Sequence, residues 1–350
     1  MRWVFLSLFF VLSCYQSGKA SEWQIIRLEN RDYLSLMQVA EFYRLMQPLD
    51  SRDKERTLVG RNYTLKFRLD SEEMLINGVK HVLCLPVYQR NGQWLISRMD
   101  LVKTLDPILR PSRIEDGKNF NTIILDAGHG GGDQGARSAW SPNEKVLTLD
   151  LARRLRGLCE DSGFRVVMTR NDDVLIPLEE RANFTKRYNN SVFVSLHFNS
   201  GPSHAKGVET YCLSPRGTQS TMSSRLRLAD FNQAPGNLHD ANNILLASSI
   251  QSQLSELRSN PTEIRGVKRA RFTVLRAASQ PAVLVESGFV SNREDAQRLA
   301  SSSYRQLLAE KIRRGILDYQ MLLRQGSKTR PEKGLALWGG RNLLLAYLSN

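Results

Sequence analysis

Apolar and polar positions divide the chain into two textures. Between residues 22 and about 112, short apolar runs alternate with turn signals. Tyr33 to Met46 places Leu34, Leu36, Val39, Ala40, Phe42, Tyr43 and Met46 at helical spacing and predicts a helix. Tyr63 to Leu69 alternates apolar with polar and predicts a strand. Glu73 to Ile76 and Val79 to Leu85 flank Asn77-Gly78, a strong hairpin signal. Asn91-Gly92 marks a second turn before Trp94-Leu95-Ile96, and Ser97 to Leu105 reads as another short helix. This segment is a small α+β unit.

Pro111 to Asn121 is a charged link, and from Thr122 the pattern changes. Strands are predicted at Ile123 to Leu125, Arg165 to Met168, Ser191 to Leu196, Gly207 to Leu213, Val274 to Arg276 and Ala282 to Val285. Helices are predicted at Lys145 to Leu158, Glu179 to Tyr188, Ala241 to Leu257 and Ser303 to Leu323. Strands alternating with helices predict an α/β domain over 122–325 with a mostly parallel sheet flanked by helices. Ser214 to Asp240 is long for a connector and rich in Ser, Arg, Gly and Pro, the texture of a functional or mobile loop.

The two ends differ from both. Arg2, an apolar run from Trp3 to Leu12 and the small residues Gly18 and Ala20 make residues 1–20 a secretory signal peptide. An uncleaved anchor and a lipobox at Val11-Leu12-Ser13-Cys14 are alternatives, and all three readings export the chain to the periplasm or cell envelope. Residues 326–350 form a basic linker followed by a short apolar tail around Trp338. Removal of Cys14 would leave Cys84, Cys159 and Cys212. An odd number in an exported chain argues for buried thiols over a disulfide framework.

A length of 350 residues suits two domains. There are 49 basic and 35 acidic side chains, for a net charge of +14. Such a charge favours an anionic partner. The excess is spread along the chain, with 4 basic against 1 acidic residue in 326–350. That distribution favours diffuse contact with an anionic wall or membrane surface. The export signal and the lack of a recognition-helix motif argue against nucleic acid.

The chemistry lies where predicted strands end. Asp126-Ala127-Gly128-His129-Gly130-Gly131 follows the first strand of the second segment. His197-Phe198-Asn199 follows Ser191 to Leu196, and Glu286-Ser287-Gly288-Phe289 follows Ala282 to Val285. Glu144 opens the helix after the glycine turn. In a parallel α/β sheet, ligands gather at the carboxyl ends of strands. Two imidazoles and two carboxylates at one edge are the inventory of a zinc hydrolase. Asp126 is a candidate to orient His129, or else a turn cap. Arg170 and Arg181 read as structural partners of carboxylates. Asn199, Arg276 and Asn292 border the site as local architecture, and His204 and His239 read as loop residues.

The run Leu125-Asp126-Ala127-Gly128-His129-Gly130-Gly131-Gly132-Asp133-Gln134-Gly135-Ala136 resembles the first signature of zinc-dependent N-acetylmuramoyl-L-alanine amidases of type 3. So do Glu144-Lys145, Leu178 to Asn183, Ser195 to Asn199, Gly207 to Tyr211, Arg265 to Lys268 and Pro281 to Asn292, all in order. Ala127 and Gln134 stand where Pro is usual. The resemblance implies that His129, Glu144 and His197 ligate Zn2+ and that Glu286 is the catalytic carboxylate. It further implies hydrolysis of the amide between the lactyl group of N-acetylmuramic acid and the stem L-alanine, in wall remodelling or cell separation. Peptidoglycan is the implied substrate, and an activator protein is a further candidate partner. A non-catalytic wall-binding protein with a vestigial site is the alternative. Residues 22–112 resemble the small domain at the N-terminus of copper amine oxidases, through Tyr33 to Leu36, Ile76 to Val79 and Asn91 to Trp94. That resemblance implies a binding or spacer role.

Overall fold

The computed structural model describes residues 23–47, 54–114, 120–223 and 225–325. Residues 1–20 and 326–350, read above as signal and tail, lie outside the described residues. The first seven strands are β1 (Ile25–Leu28), β2 (Arg31–Ser35), β3 (Glu55–Val59), β4 (Thr64–Arg68), β5 (Ser71–Ile76), β6 (Val79–Arg90) and β7 (Gln93–Ser97). They form a small antiparallel region. The other six are β8 (Thr122–Ala127), β9 (Arg165–Met168), β10 (Ser191–Asn199), β11 (Val208–Leu213), β12 (Ile264–Ala270) and β13 (Ala282–Phe289).

Strand order is β1-β2-β7-β6-β12-β11-β13-β10-β8-β9. Pairing is parallel from β9 through β8 and β10 to β13. It is also parallel between β11 and β12, whereas β11 runs antiparallel to β13. The sheet is therefore mixed and mostly parallel, with helices on its faces. The two segments share it, because β6 meets β12 at His81 and Val267. His81 is buried there and bonds Ser248 Oγ through Nε2 at 3.0 Å.

Burial on both faces explains the continuous apolar strands. Ile123, Leu125, Val192, Val194, Val283 and Val285 face one core, which includes Leu151 and Leu155 of helix Glu144–Glu160. Ile312 and Ile316 of helix Ser302–Gln325 pack into the same core. Ile124, Phe193 and Leu284, one residue out of phase, face a second core with Tyr211, Val274 and Leu275. A fully buried aliphatic side chain contributes about 1.5–3 kcal/mol. His197 and Glu286 continue the parity of Phe193 and Leu284, so they emerge on the second face at the sheet's edge.

Several expectations change. Tyr33 to Met46 is not one helix, since Tyr33–Ser35 pairs with β7 and only Leu36–Tyr43 is helical. Ser35 accepts the Met37 amide as N-cap, and burial of Leu34 opposite Ile96 outweighs the helical spacing. Val274 to Arg276 is not a strand but a helical turn, Thr273–Arg276. Its short apolar run suits either state, and Val274 and Leu275 fill the second core from a turn. Helical structure continues from Arg98 to Leu109, with a π-type turn at Leu101–Leu105. Strands β1, β3 and β12 and helix Arg293–Ala300 were not anticipated. Cys84, Cys159 and Cys212 are free and buried, as expected.

Candidate metal centre

After β8 the chain turns through Gly128, and His129 adopts the left-handed conformation at φ 61. A non-glycine residue held there is strained, a feature that clusters at functional sites. Gly130 and Asp133 exchange backbone hydrogen bonds at 3.0 and 3.1 Å and close a tight loop. The loop returns Asp133 to His129, whose Nδ1 lies 2.8 Å from Asp133 Oδ2. That contact leaves His129 Nε2 facing Glu144 Oε2 at 3.0 Å. Two glycines make the cradle. A Cβ on Gly128 would lie 2.3 Å from the His197 ring, and one on Gly135 would lie 2.7 Å from both Glu144 and His129.

Glu144 is the first residue of its helix and is buried. Its Oε1 accepts the Phe198 amide at 3.0 Å and faces His197 Nδ1 at 3.0 Å. Its Oε2 accepts the Ala136 amide at 2.8 Å. Burial opposes its ionisation, but hydrogen bonds from His129 and His197 hold its carboxyl well below the usual range. Burial likewise opposes charge on His129, while Glu144 and Asp133 raise its pKa. One ligand atom from each of His129, Glu144 and His197 lies within 4.8 Å of the others. Two nitrogens and one carboxylate oxygen fit Zn2+ in a catalytic site, which takes three protein ligands. The Asp133 contact fits as well, because a metal-ligating His commonly gives its other nitrogen to a carboxylate.

Glu286 lies in register with His197 on β10 and with Glu209 on β11. Its Oε2 is buried without a hydrogen-bond partner among the described residues. Burial, then the charges of Glu144 and Glu209, push its pKa well up. Glu209 is itself buried. It accepts from Asn199 Nδ2 at 2.6 Å, Tyr211 Oη at 2.7 Å, Arg265 Nε at 2.5 Å and Lys268 Nζ at 2.6 Å. Glu209 stands in the run Gly207 to Tyr211 without an expected role. The signal for one was a charged residue inside an apolar strand, since buried Glu is rare unless paired.

Asp126 does not orient His129. Its carboxylate takes Thr169 Oγ1 at 2.7 Å, Arg181 Nη1 at 2.8 Å and Ser195 Oγ at 2.7 Å, beneath the site. Arg181 also donates to the carbonyls of Ala127 and His129, so it is structural as expected. Arg170 is structural too, but it bonds the carbonyls of Ala127, Gly128, Lys145 and Asp172. Asn292 caps the helix that follows it. Arg276 is exposed. His239 bonds the Ser279 carbonyl, and His204 is exposed in a loop. Because β11 runs antiparallel to β13, the Ser214–Asp240 connection leaves the sheet at the end opposite Glu286.

Residues 123–318 match the family described as N-acetylmuramoyl-L-alanine amidase. AmiC of Escherichia coli O6:H1, an N-acetylmuramoyl-L-alanine amidase, is 30% identical over 278 residues, which is 70% of this chain and 66% of AmiC. The chain thus spans just under two thirds of that relative's length. The uncharacterized protein YqiI of Bacillus subtilis is 35% identical over 219 residues, covering 63% of this chain and 93% of YqiI. Among solved structures, the amidase AmiC2 of Nostoc punctiforme is 31% identical with a TM-score of 0.47, covering 57% of this chain and 97% of that one. With more than half its length matched by the family and the strand-end residues in place, this chain belongs to the N-acetylmuramoyl-L-alanine amidases.

Proposed function

We propose that the chain is a zinc hydrolase that cuts the amide between the lactyl group of N-acetylmuramic acid and the L-alanine of the peptidoglycan stem. His129 Nε2, His197 Nδ1 and Glu144 would hold the ion. When bound, zinc supplies a Lewis acid that polarises the scissile carbonyl and makes water a nucleophile near neutral pH. Glu286 takes the proton of the attacking water as the C–O bond forms. It returns that proton to the alanine nitrogen as the C–N bond breaks. Asp133 fixes the His129 ring, and the Asp126–Arg181 pair holds the backbone from which His129 projects.

The observation that carries this reading is the buried Oε2 of Glu286, without a hydrogen-bond partner among the described residues and one strand away from a three-residue ligand set. Peptidoglycan lies outside the cytoplasm, which agrees with residues 1–20 as an export signal and with action in the periplasm or envelope. Residues 22–112 are read as a non-catalytic domain beside the catalytic domain of residues 122–325, with 326–350 as a basic linker and tail. Digestion of purified peptidoglycan with and without chelator tests the proposal. The expected products are intact stem peptides with an alanine amino terminus, absent after chelation and restored by zinc. Chelator-insensitive release, or cleavage within the stem, would overturn it.

A further inference from the structure

Glu209, Arg265 and Lys268 form a charge cluster that the proposed reaction does not use. Glu209 is sealed, with its side chain 1% exposed, while those of Arg265 and Lys268 are 31% and 17% exposed. Two cations therefore share one buried carboxylate, and a positive charge is left facing solvent. Burial opposes ionisation of Glu209, yet Lys268 and Arg265 hold its pKa below the ordinary value, so the cluster keeps this charge.

Arg265 is fixed in an unusual way. Its Nε is bound to Glu209 at 2.5 Å, and its guanidinium carbon lies 4.8 Å from the centre of the Phe289 ring. Its two Nη atoms have no protein partner among the described residues. A guanidinium held by Nε and stacked on a ring presents a rigid outward pair of donors, and that fork matches a carboxylate. The ring beneath it belongs to β13, three residues beyond Glu286.

The position is equally specific. Glu286, Glu209 and Gly266 lie in register across β13, β11 and β12. Strands are spaced about 4.8 Å apart, so Gly266 lies roughly 10 Å from Glu286. Arg265, its neighbour, leans back over Phe289 and shortens that span. An extended peptide advances about 3.5 Å per residue, so the second residue beyond a scissile nitrogen reaches roughly 7 Å. On the far side of the centre, beyond His129, Val174 and Leu175 lie beside Gly130 and Gly131 and are exposed and apolar. A neutral sugar suits that side, and an anionic peptide suits the Arg265 side.

We infer that Arg265, buttressed by Glu209 and Phe289, binds the free α-carboxylate of the acidic residue that follows L-alanine in the stem peptide. The inference rests on the amidase reading and adds a direction to it: the stem runs across β11 toward β12 and the N-terminal region. Lys268 supplies a second positive charge behind the fork. Glu209 positions Arg265 and does not touch substrate.

Two synthetic muramyl dipeptides decide the matter, one ending in D-glutamate and one in D-isoglutamine, whose α-carboxylate is amidated. The wild-type enzyme is expected to favour the carboxylate form by about tenfold or more in kcat/KM, mainly through KM, as for a charge-assisted bidentate contact. In Arg265→Gln the ratio of the two substrates is expected to fall to near one, and Arg265→Lys to recover only part of it. A ratio preserved in Arg265→Gln, or no preference in the wild type, overturns the assignment. Calorimetry of wild-type protein with free L-Ala-D-Glu and L-Ala-D-isoglutamine gives a second readout that needs no variant and no turnover. Tighter binding of the carboxylate dipeptide supports the assignment, and equal binding overturns it. Failure to cut either muramyl substrate would sink the amidase reading, and the calorimetry would then decide Arg265 on its own.

Discussion

Gly128 offers the sharpest test of the ligand cradle. Its backbone is outside the left-handed region, so Gly128→Ala adds a methyl group without demanding a forbidden conformation. That methyl would lie 2.3 Å from Cε1, 2.5 Å from Nε2 and 2.7 Å from Nδ1 of His197. Ordinary contact begins near 3.4 Å, so the ring must retreat by roughly 1 Å. It has room to do so, because the His197 side chain is 20% exposed. Retreat carries Nδ1 away from Glu144 Oε1, now 3.0 Å distant. Misplacement of about 1 Å in a catalytic constellation costs about 10²-fold in rate. Overpacking of this kind costs about 1–3 kcal/mol of stability. Gly128→Ala should therefore fold, bind zinc more weakly in a chelator competition, and lose about 10²-fold in kcat/KM on peptidoglycan. Gly132→Ala is the matched control, since a Cβ there meets nothing within 4 Å. Wild-type zinc affinity and turnover in Gly128→Ala would refute the cradle.

Three other outcomes are expected. Glu286→Gln should keep zinc stoichiometry while kcat falls by about 10²–10⁴-fold, the range for loss of a general acid–base group; an intact kcat would remove Glu286 from the mechanism. Asp133→Asn should weaken zinc binding by about 10–100-fold, whereas Asp126→Asn should mainly lower the thermal midpoint; the reverse pattern would restore Asp126 as the orienting group. Burial, with Arg269 nearby, lowers the His81 pKa from 6.5 to about 4. Between those values the unfolded chain binds the extra proton, so the contribution of His81 is complete above pH 6.5. It is lost as pH falls toward 4, by about 3 kcal/mol. Urea midpoints across that range should fall less in His81→Gln than in the wild type, and parallel curves would contradict this.

The strand-end residues were legible because the physics is local. An apolar run bounded by glycine predicts a strand, and parallel strands deliver their carboxyl ends to one edge. His129, His197 and Glu286 needed only that rule, and Glu144 needed the helix start after Pro142. What was not legible depended on contacts distant in sequence or on exact turn geometry. Asp126 adjoins a strand-end histidine in sequence and looked like its partner. The Gly130–Asp133 bridge instead returns Asp133 to the ring and leaves Asp126 to Arg181. Tyr33 to Ser35 fits a helical repeat, but the partner that makes it a strand is β7, sixty residues on. The joining of both segments through His81 and Val267 has no local signal at all.

The reversed strand β11 explains the placement of Glu209 and that of the Ser214–Asp240 connection together. If β11 ran parallel to β13, Glu209, near its start, would sit at the end of the sheet remote from Glu286. The loop that follows Leu213 would then overhang His129, Glu144 and His197. Antiparallel pairing does the opposite. It brings Glu209 into register with Glu286 and sends Ser214–Asp240 to the far end of the sheet, where Arg271 bonds the carbonyls of Pro215 and Thr218. β12 follows β11 in direction, so Arg265 also starts at the Glu286 end of the sheet. One change of strand direction thus places an acid, its two cations and the junction with the N-terminal region on the same side of Glu286. That side, with its excess of positive charge, is where an anionic peptide leaving the scissile bond would run.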